Sequence, residues 1–325
     1  MYEWEMKSKA IENLIALSSY FKDKKTVHVY GSFGDIYFQS AIVSEYNAGV
    51  EKQERYEIII DEKYKEFAEK IFSNGELLYF VDSNMIHKIL SDNGVIGDIK
   101  GMPIRLLSTI YPVITELIYK SKLDYVDFTR TIIKSLKVGP ITKIENKVEF
   151  KNEAEKILIE ANLPFKNTVL LNCENNTHKE FSENFWIQII NIVLECGKTP
   201  CLNISGTLRG ENTKLNSINI AKIKVPPYLA VSVVEACGYY IAGSNGFLAI
   251  QGFFNDKSDG IHLVNADNGL NIIMQDNFGN EVEPSLLTLE MNSPKHYLNR
   301  INEIQIAHQK LTKENIEDIK HTLRK

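Results

Sequence analysis

The chain contains 325 residues, 44% of them hydrophobic and 24% charged, which is typical of a globular protein with a substantial core. This length favours two domains, on the usual expectation of about 150 residues each. The formal net charge of -5 argues against a protein that binds nucleic-acid backbone through a basic face, so no nucleic-acid partner is expected. No apolar run approaches the ~18 residues of a membrane span and the N-terminus lacks a signal-peptide core, which predicts a cytoplasmic protein.

In the first half of the chain, short apolar strands alternate with helices that carry one apolar face. The predicted strands are Thr26–Tyr30, Tyr56–Asp61 and Leu77–Val81. The predicted helices are Ser8–Phe21, a segment that follows the first strand as far as Tyr46, Glu62–Phe72, Thr109–Ser121 and Tyr125–Leu136. The alternation predicts a parallel sheet covered on both faces. A segment with Gly139, Pro140 and mixed charge, Lys137–Glu149, is interpreted as an interdomain linker.

The second half repeats the alternation. The predicted strands are Thr168–Asn172, Pro200–Ile204, Tyr239–Ala242 and Gly260–Val264. The predicted helices are Glu153–Ala161, Glu183–Cys196, Tyr228–Cys237, Phe247–Phe254 and a charged tail, His296–Lys325. In the helix Glu183–Cys196, five apolar residues are expected to point inward: Trp186, Ile189, Ile190, Val193 and Leu194. In parallel sheets of this kind, ligands bind at the carboxyl ends of the strands.

Cysteines and histidines give no indication of a metal site. The four cysteines have no C-x-x-C spacing and lie in apolar surroundings, which favours reduced thiols in a core. The seven histidines include no H-x-x-x-H pair, and no D-x-D triplet occurs. We therefore expect neither a metal ion nor a tightly bound cofactor.

A strand, a glycine-containing turn and a helix follow one another in TVHVYGSFGDIYFQSAIVSEY, residues 26–46. Gly31 and Gly34 suit a tight turn because glycine adopts positive φ without a steric clash. Asp35 stands where the helix begins. An aspartate there either caps the backbone N–H groups of the helix or presents its carboxylate at a binding cleft.

The second informative stretch is LNCENNTHKEFSENFW, in which a strand ends near Asn172 and Lys179 precedes the next helix. A lysine near a helix N-terminus opposes the helix dipole, unless an anion such as phosphate is shared between the lysine and the backbone N–H groups. A solvated surface lysine is the alternative. Later in the chain, Glu211 lies in a loop after a strand, where it could contact a ribose or serve as an ordinary loop acid.

Three segments together resemble the heptosyltransferase-like inverting glycosyltransferases, family 9, which have the GT-B fold. KEFSENFW resembles the family's lysine–aromatic–proline–x–x–x–tryptophan signature, with Lys179 and Trp186 matching, Phe181 as the aromatic residue and Ser182 in place of the proline. GSFGDIYFQSAIVSEY resembles the N-terminal glycine–aspartate motif. LAVSVVEACGYYIAGSNGFLAI resembles the segment that ends in the family's aspartate–threonine–glycine donor loop.

The resemblance implies two Rossmann-like domains that face each other across a cleft. Residues 1–145 would form the acceptor domain and residues 146–305 the nucleotide-sugar domain. Residues 306–325 would form a helix that crosses back to the first domain, on which its apolar residues Leu311, Ile316 and Ile319 would pack.

The resemblance also implies roles for individual residues. Asp35 falls on the catalytic base and Lys179 on the lysine that binds the donor phosphate. The other expected donor-side residues are Asn172, Ser205, Glu211, Gly243, Ser244, Asn245 and Gly246. The expected acceptor-side residues are Gly31, Ser32, Gly34 and Arg105, although a surface salt bridge is an equal alternative for the arginine. The donor loop departs from the family: Ser244 replaces the aspartate, Asn245 the threonine and Ala249 the histidine.

The implied activity is metal-independent, inverting transfer of a sugar from a nucleotide-sugar donor to a glycan or lipid-linked acceptor. Surface polysaccharide or lipopolysaccharide assembly is the expected setting, at the cytoplasmic face of the membrane if the protein associates with it peripherally. Because the donor loop is altered, a non-catalytic GT-B module that binds a nucleotide sugar or a partner protein is the first alternative. A two-domain small-molecule binding protein is the second. The donor sugar, the acceptor and the oligomeric state stay open at this point.

Overall fold

The computed structural model describes residues 26–29, 33–72, 77–82, 104–106, 148–174, 180–205, 215, 217–243, 245–254, 257–265, 274–275, 281–282 and 301–325. These residues divide into two compact units, one that ends with residue 106 and one that begins with residue 148. The predicted helices Ser8–Phe21, Thr109–Ser121 and Tyr125–Leu136 lie outside the described residues, and so does the predicted domain boundary at 145.

The first unit contains a four-stranded parallel sheet in the order β3-β2-β1-β4. Its elements are β1 (Thr26–Val29), α1 (Phe33–Ala48), β2 (Glu57–Asp61), α2 (Lys65–Ile71), β3 (Leu78–Val81) and β4 (Ile104–Leu106). Strands β1 and β2 are buried along nearly their whole length, as expected of central strands covered on both faces. The helix predicted at Glu62–Phe72 begins as a 3₁₀ turn, Glu62–Tyr64, before α2.

The second unit contains six parallel strands in the order β12-β9-β8-β5-β6-β7. Its strands are β5 (Thr168–Asn172), β6 (Thr199–Asn203), β7 (Ala221–Ile223), β8 (Gly238–Ala242), β9 (Asp259–Asn265) and β12 (Ile301–Ile306), with a separate antiparallel pair, β10 (Met274–Gln275) and β11 (Glu281–Val282). Its helices are α3 (Val148–Glu160), α4 (Glu183–Glu195), α5 (Ala230–Cys237), α6 (Gly246–Phe254) and α7 (Lys313–Leu323). When these six strands are numbered 1 to 6 along the chain and read from β7 to β12, their order is 3-2-1-4-5-6, that of the doubly wound Rossmann fold.

Each face of this sheet packs its own layer of helices, because successive strand residues point to opposite faces. Val169 and Leu171 belong to a core that includes Trp186 and Ile189 of α4. Leu170 belongs to the opposite core, which includes residues of α3 and α5. The predicted α/β architecture with parallel, two-faced sheets is therefore confirmed in the second unit.

Two predictions about helix α4 and the linker need correction. Leu194 was expected to point inward but is 54% exposed, because it follows the buried Val193 by one residue, a rotation of about 100° around the helix. The predicted linker Lys137–Glu149 overlaps α3, which begins at Val148. Phe150 and Ala154 are buried in a core of the second sheet, so the start of this helix belongs to the domain and not to a linker.

The charged tail is also different from its prediction as one helical segment. Its described part begins with β12, in which Ile304 and Ile306 are buried and the intervening Gln305 is exposed. This period of two is that of a strand, and β12 pairs in parallel with β9 at the edge of the sheet.

Helix α7 packs on the core of the second unit. The expected crossing of residues 306–325 back to the first domain stays a prediction. Ile319 and Leu323 of α7 are buried in the core that contains Phe185. Lys320 adds an ion pair with Glu195 of α4, with 2.9 Å between Nζ and the carboxylate oxygen. The apolar side of the helix is therefore packed by the sheet that precedes it in sequence.

Gly238 connects α5 to β8 with φ = 102° and lies against the backbone of Lys166. A Cβ at position 238 would lie 2.9 Å from the Lys166 Cα, which is closer than real Cβ contacts. The Lys166 segment is held in place, because its N–H donates to the Ala236 carbonyl at 2.9 Å. Gly197, with φ = 71°, also has left-handed backbone, but a Cβ there would meet nothing within 4 Å.

Substituting these two glycines distinguishes the cost of left-handed backbone from the cost of a steric clash. Gly197→Ala should lower the free energy of unfolding by about 1–2 kcal/mol, the cost of left-handed backbone for an L residue. Gly238→Ala should cost about 1–3 kcal/mol more, because the new Cβ also clashes with Lys166. Urea denaturation of both variants measures the difference. Equal losses would contradict the close approach.

Candidate functional site

The second sheet has one topological switch point, between β5 and β8. After β5 the chain continues to β6 on one side, and after β8 it continues to β9 on the other. The connections therefore diverge at the carboxyl ends of these two strands, which is where open α/β sheets bind ligands. Four of the predicted donor-side residues, Asn172, Gly243, Asn245 and Gly246, lie at this edge.

Hydrogen bonds join the segments that leave β5 and β8. The Gly243 N–H donates to the Asn172 carbonyl at 3.2 Å. The Asn245 side chain donates from Nδ2 to the Glu174 carbonyl at 2.6 Å, and its Oδ1 accepts from the Leu248 N–H at 3.0 Å. Asn245 therefore caps α6 and at the same time holds the segment after β5.

The capped start of α6 presents backbone N–H groups at the sheet edge. The first N–H groups of a helix have no partner within the helix. The Asn245 side chain accepts a hydrogen bond from one of them, the N–H of Leu248. The N–H groups of Gly246 and Phe247 belong to the same first turn. Together with the helix dipole they favour an anion at this position.

Aromatic residues of KEFSENFW form a core beside the segment that contains Lys179. The Phe181 and Phe185 rings stack with 4.2 Å between centroids, and the Trp186 ring lies edge-on to both. All three side chains are buried. The tryptophan of the motif is thus a packing residue, while Lys179 itself lies outside the described residues.

Ser182, which stands in place of the proline of the resembled signature, makes two hydrogen bonds at the start of α4. Its Oγ accepts from the Phe185 N–H at 3.4 Å and caps α4. Its own N–H donates to Oε1 of Gln309 at 2.8 Å. A proline could not make the second contact, because it has no N–H.

Ser205, a predicted donor-side residue, takes part in a hydrogen-bond network at the end of β6. Its N–H donates to Asn203 Oδ1 at 3.0 Å, and its Oγ accepts from the Val225 N–H at 2.6 Å. Asn203 is buried and also accepts from the Val225 N–H, at 3.3 Å. Ser205 therefore ties β6 to the segment that follows β7. The remaining predicted donor-side residues, Glu211 and Ser244, lie outside the described part of the chain.

In the first unit, Gly34 and Asp35 are the second and third residues of α1. Gly34 is therefore helical and not part of a tight turn, because the helix already begins at Phe33. Asp35 lies in the first turn, where the helix dipole favours a carboxylate. Gly31 and Ser32 lie outside the described residues.

Arg105, the remaining predicted acceptor-side residue, occupies the middle of β4. Its register partner across the sheet is His28 of β1. β4 itself was not expected, since three residues after Pro103 carry too little periodicity to indicate a strand. The acceptor-side role of Arg105 stays a prediction.

The structure also places together residues that the sequence analysis did not single out. The exposed Phe33 ring lies edge-on to Tyr64 and Phe67, with centroids 5.0 and 5.1 Å away. Asp61, at the end of β2, pairs with Lys63 at 3.2 Å. Because β1 and β2 are neighbours in a parallel sheet, the residues that follow them lie at the same edge of the sheet, at the carboxyl ends of the strands. The signal for this group in the sequence was the acidic residue Asp61 at the end of a predicted strand.

Two negative findings concern only the residues that the structure describes. Among them, no group of three histidine, cysteine, aspartate or glutamate side chains is arranged to hold a metal ion. No described helix is both long and apolar enough to cross a membrane.

Comparison with solved structures relates the fold to the GT-B glycosyltransferases. A family 9 glycosyl transferase from Veillonella parvula DSM 2008 is similar with a TM-score of 0.52 at 12% identity, over 88% of this chain and 86% of that one. The E. coli heptosyltransferase WaaC, solved with ADP-2-deoxy-2-fluoro heptose, has a TM-score of 0.52 at 12% identity, over 92% of this chain and 98% of that one.

The E. coli ADP-heptose LPS heptosyltransferase II has a TM-score of 0.52 at 10% identity, over 93% of this chain and 98% of that one. No protein-family model matches the sequence, and no curated protein matches it significantly. At these identities the similarity establishes the fold. The chain has the GT-B fold, as the resemblance in its motifs predicted.

Ser205→Ala tests whether this serine stabilises the fold or binds the donor. The variant should lose about 0.5–1.5 kcal/mol of unfolding free energy, the worth of the hydrogen bonds to its hydroxyl. Affinity of the folded protein for nucleoside diphosphates should stay unchanged. Urea denaturation and titration calorimetry measure the two quantities, and a variant with full stability and weakened binding would support the predicted donor-side role of Ser205.

Proposed function

We propose that the protein is an inverting glycosyltransferase that moves a sugar from a nucleotide-sugar donor to a glycan or lipid-linked acceptor. The observation that carries the proposal is the switch point of the second sheet, where the loop Gly243–Gly246 and the capped start of α6 meet the end of β5. The resemblance of the motifs and the GT-B fold support it. Assembly of surface polysaccharide or lipopolysaccharide is the proposed setting.

In the proposed reaction, a carboxylate takes the proton of the acceptor hydroxyl as its oxygen attacks the anomeric carbon of the donor. The bond from that carbon to the nucleotide diphosphate breaks, and the configuration inverts. Asp35 is the proposed base. It lies in the first turn of α1.

The leaving diphosphate needs its developing charge stabilised. We assign this role to Lys179 and to the N–H groups of Gly246 and Phe247, without a divalent metal. The asparagine at position 245 already uses its Oδ1 on α6 and its Nδ2 on Glu174. The backbone N–H groups are the main donors in this proposal, and the second hydrogen of Nδ2 would let the Asn245 amide add one further contact.

The non-catalytic alternative has one observation in its favour. The donor loop lacks the aspartate, threonine and histidine of the resembled family, and the asparagine that replaces the threonine serves internal contacts. A GT-B module with this loop could bind a nucleotide sugar without transferring it. Binding and turnover must therefore be measured separately.

Lys179→Ala should weaken the binding of nucleoside diphosphates by about 1.5–3 kcal/mol, the value of a hydrogen bond from a charged donor. Calorimetry with ADP, GDP, CDP and UDP measures the affinity. Lys156→Ala is the matched control, because Lys156 is an exposed lysine on α3 whose salt bridge to Glu160 spans 3.7 Å. An unchanged dissociation constant in Lys179→Ala would make this lysine an ordinary surface residue.

Asp35→Asn should reduce turnover by about 10²–10⁴-fold, because asparagine cannot accept the proton. Melting temperature and nucleotide affinity should stay close to wild type, since asparagine has nearly the same size. Sugar transfer is assayed with excess EDTA, which the proposed mechanism tolerates. Glu69→Gln, on the exposed side of α2, controls for loss of an acid. Full turnover in Asp35→Asn would refute the assignment of the base, and binding without any turnover by wild type would favour the non-catalytic module.

A further inference from the structure

An aromatic residue is exposed at the carboxyl edge of the first sheet. Phe33 is the first residue of α1, the helix that follows β1, and its side chain is 39% exposed. Single exposed apolar residues are common on protein surfaces and need no function. Phe33 differs from them because other rings hold its ring in place and a pair of opposite charges lies beside it. We call Phe33, Tyr64, Asp61 and Lys63 the aromatic platform.

Two neighbouring rings fix the orientation of the Phe33 ring. The Tyr64 centroid lies 5.0 Å away at an interplanar angle of 75°, and the Phe67 centroid lies 5.1 Å away at 82°. Because both angles are nearly perpendicular, neither ring stacks flat on Phe33. Phe67 is itself buried, and its centroid lies 5.9 Å from that of the buried Tyr37 of α1. The exposed ring is therefore anchored to the core of the first unit and oriented before any ligand binds.

An ion pair lies beside these rings. Asp61 ends β2 and is buried, and its Oδ2 lies 3.2 Å from Nζ of Lys63, whose side chain is 51% exposed. Asp61 Oδ1 accepts from the Lys63 N–H at 3.1 Å and caps the turn that contains Tyr64. The Lys63 ammonium also lies 4.9 Å from the centroid of the Tyr64 ring, a cation–π contact. The lysine side chain thus joins the acid to the aromatic rings.

This combination of groups matches the two kinds of surface on a pyranose ring. The C–H groups on one face of a pyranose are slightly positive and pack on the negative face of an aromatic ring. Its hydroxyl groups stand at the rim, where an ammonium can donate hydrogen bonds to them and a carboxylate can accept them. An apolar surface with a few polar groups around it is the usual composition of a small-molecule site.

The charges of the platform favour a neutral sugar over an acidic one. Residues 61–66 contain three acids and two lysines, and the Lys63 ammonium is paired with Asp61. A sugar carboxylate would therefore meet no excess of positive charge in this segment, and it would lose hydration on binding. The cost of removing a hydroxyl group from water is much smaller.

We propose that the aromatic platform binds a neutral pyranose, which stacks on the Phe33 ring and hydrogen-bonds to Lys63. The platform lies at the ends of β1 and β2, and the carboxyl edge of a parallel sheet is where α/β proteins bind ligands. That the pyranose belongs to the acceptor rests on the proposed function, because the proposed base Asp35 follows Phe33 by two residues. The binding of a sugar to the platform does not depend on that role.

Three substitutions and a control test the platform. Phe33→Leu removes the ring but keeps an apolar side chain, whereas Phe33→Tyr keeps the ring. Asp61→Asn keeps an oxygen for the Lys63 N–H and removes the charge that balances the ammonium. Phe165→Leu is the matched control, since Phe165 is a comparably exposed phenylalanine, at 45%, between α3 and β5 of the second unit.

The probes are methyl β-D-glucopyranoside, methyl β-D-glucuronide and 1-octanol, each titrated against the full chain and followed by saturation-transfer NMR. Wild type should bind the glucopyranoside, with stronger saturation of the C–H groups on one face of the sugar than on the other. Phe33→Leu should raise the dissociation constant by about two- to tenfold, the range that corresponds to one aromatic contact. Phe33→Tyr and Phe165→Leu should bind like wild type.

The glucuronide tests the charge argument. It should bind wild type more weakly than the glucopyranoside does, and Asp61→Asn should reduce or reverse that difference because Lys63 is then unbalanced. A glucuronide that binds wild type more tightly than the neutral sugar would overturn the assignment of a neutral ligand.

Three further results would overturn the inference. They are a lack of glucopyranoside binding by wild type, equal dissociation constants for wild type and Phe33→Leu, and binding of octanol in preference to the sugar. Melting temperatures show whether a loss of binding comes from unfolding. If Phe33→Leu is unstable, the saturation of one sugar face in wild type and the retained binding of Phe33→Tyr decide the question, and their absence counts against the platform.

Calorimetry with ADP and UDP separates this inference from the proposed function. If wild type binds the glucopyranoside at Phe33 but neither nucleotide, the proposed function fails and the platform stands as a sugar site. If wild type binds a nucleotide while Phe33→Leu binds the glucopyranoside as wild type does, only the platform fails.

Discussion

The parallel pairing of β5 with β8 organises the second unit. The two strands lie far apart in sequence, with Leu171 opposite Ile241, and closing the intervening chain costs entropy. Burial offsets this cost, since β5 is buried throughout and contributes to a core on each face of the sheet. Once the pair forms, β6 and β9 can add only on opposite sides, which places the switch point at its carboxyl end.

Both ends of this strand pair are tied by local contacts. At the amino end, Gly238 allows the backbone of Lys166 to approach closely, and the Lys166 ammonium donates to the Glu235 carbonyl. At the carboxyl end, the N–H of Gly243 donates to Asn172, the last residue of β5, and the amide of Asn245 donates to Glu174 just after it. The candidate donor site is therefore built on a rigid part of the sheet, which is the arrangement that precise binding requires.

Most strands and helices of four or more residues could be predicted from the sequence, and the three-residue strands could not. The strand Thr168–Asn172 and the helix that begins at Glu183 were predicted with these same first residues, because a buried apolar run and apolar residues at helical spacing are local signals. Strands β4 and β7 have three residues each, and pairing with a neighbour is what makes them strands. Predicting the strand in the tail also requires knowledge of its neighbour, because β12 forms its ladder with β9.

For the candidate site, the sequence by itself determined which residue types stand near strand ends: the glycines and asparagine of the donor loop, Asp35 at the start of a helix, and the residues around Lys179. Those assignments need only local patterns and motif resemblance. Only the tertiary structure decided that Asn245 reaches Glu174, that Ser182 is paired with Gln309, and that Ser205 belongs to an internal network. The physical reason is that each of these contacts joins residues distant in the chain, so it exists only after the sheet has brought their elements together.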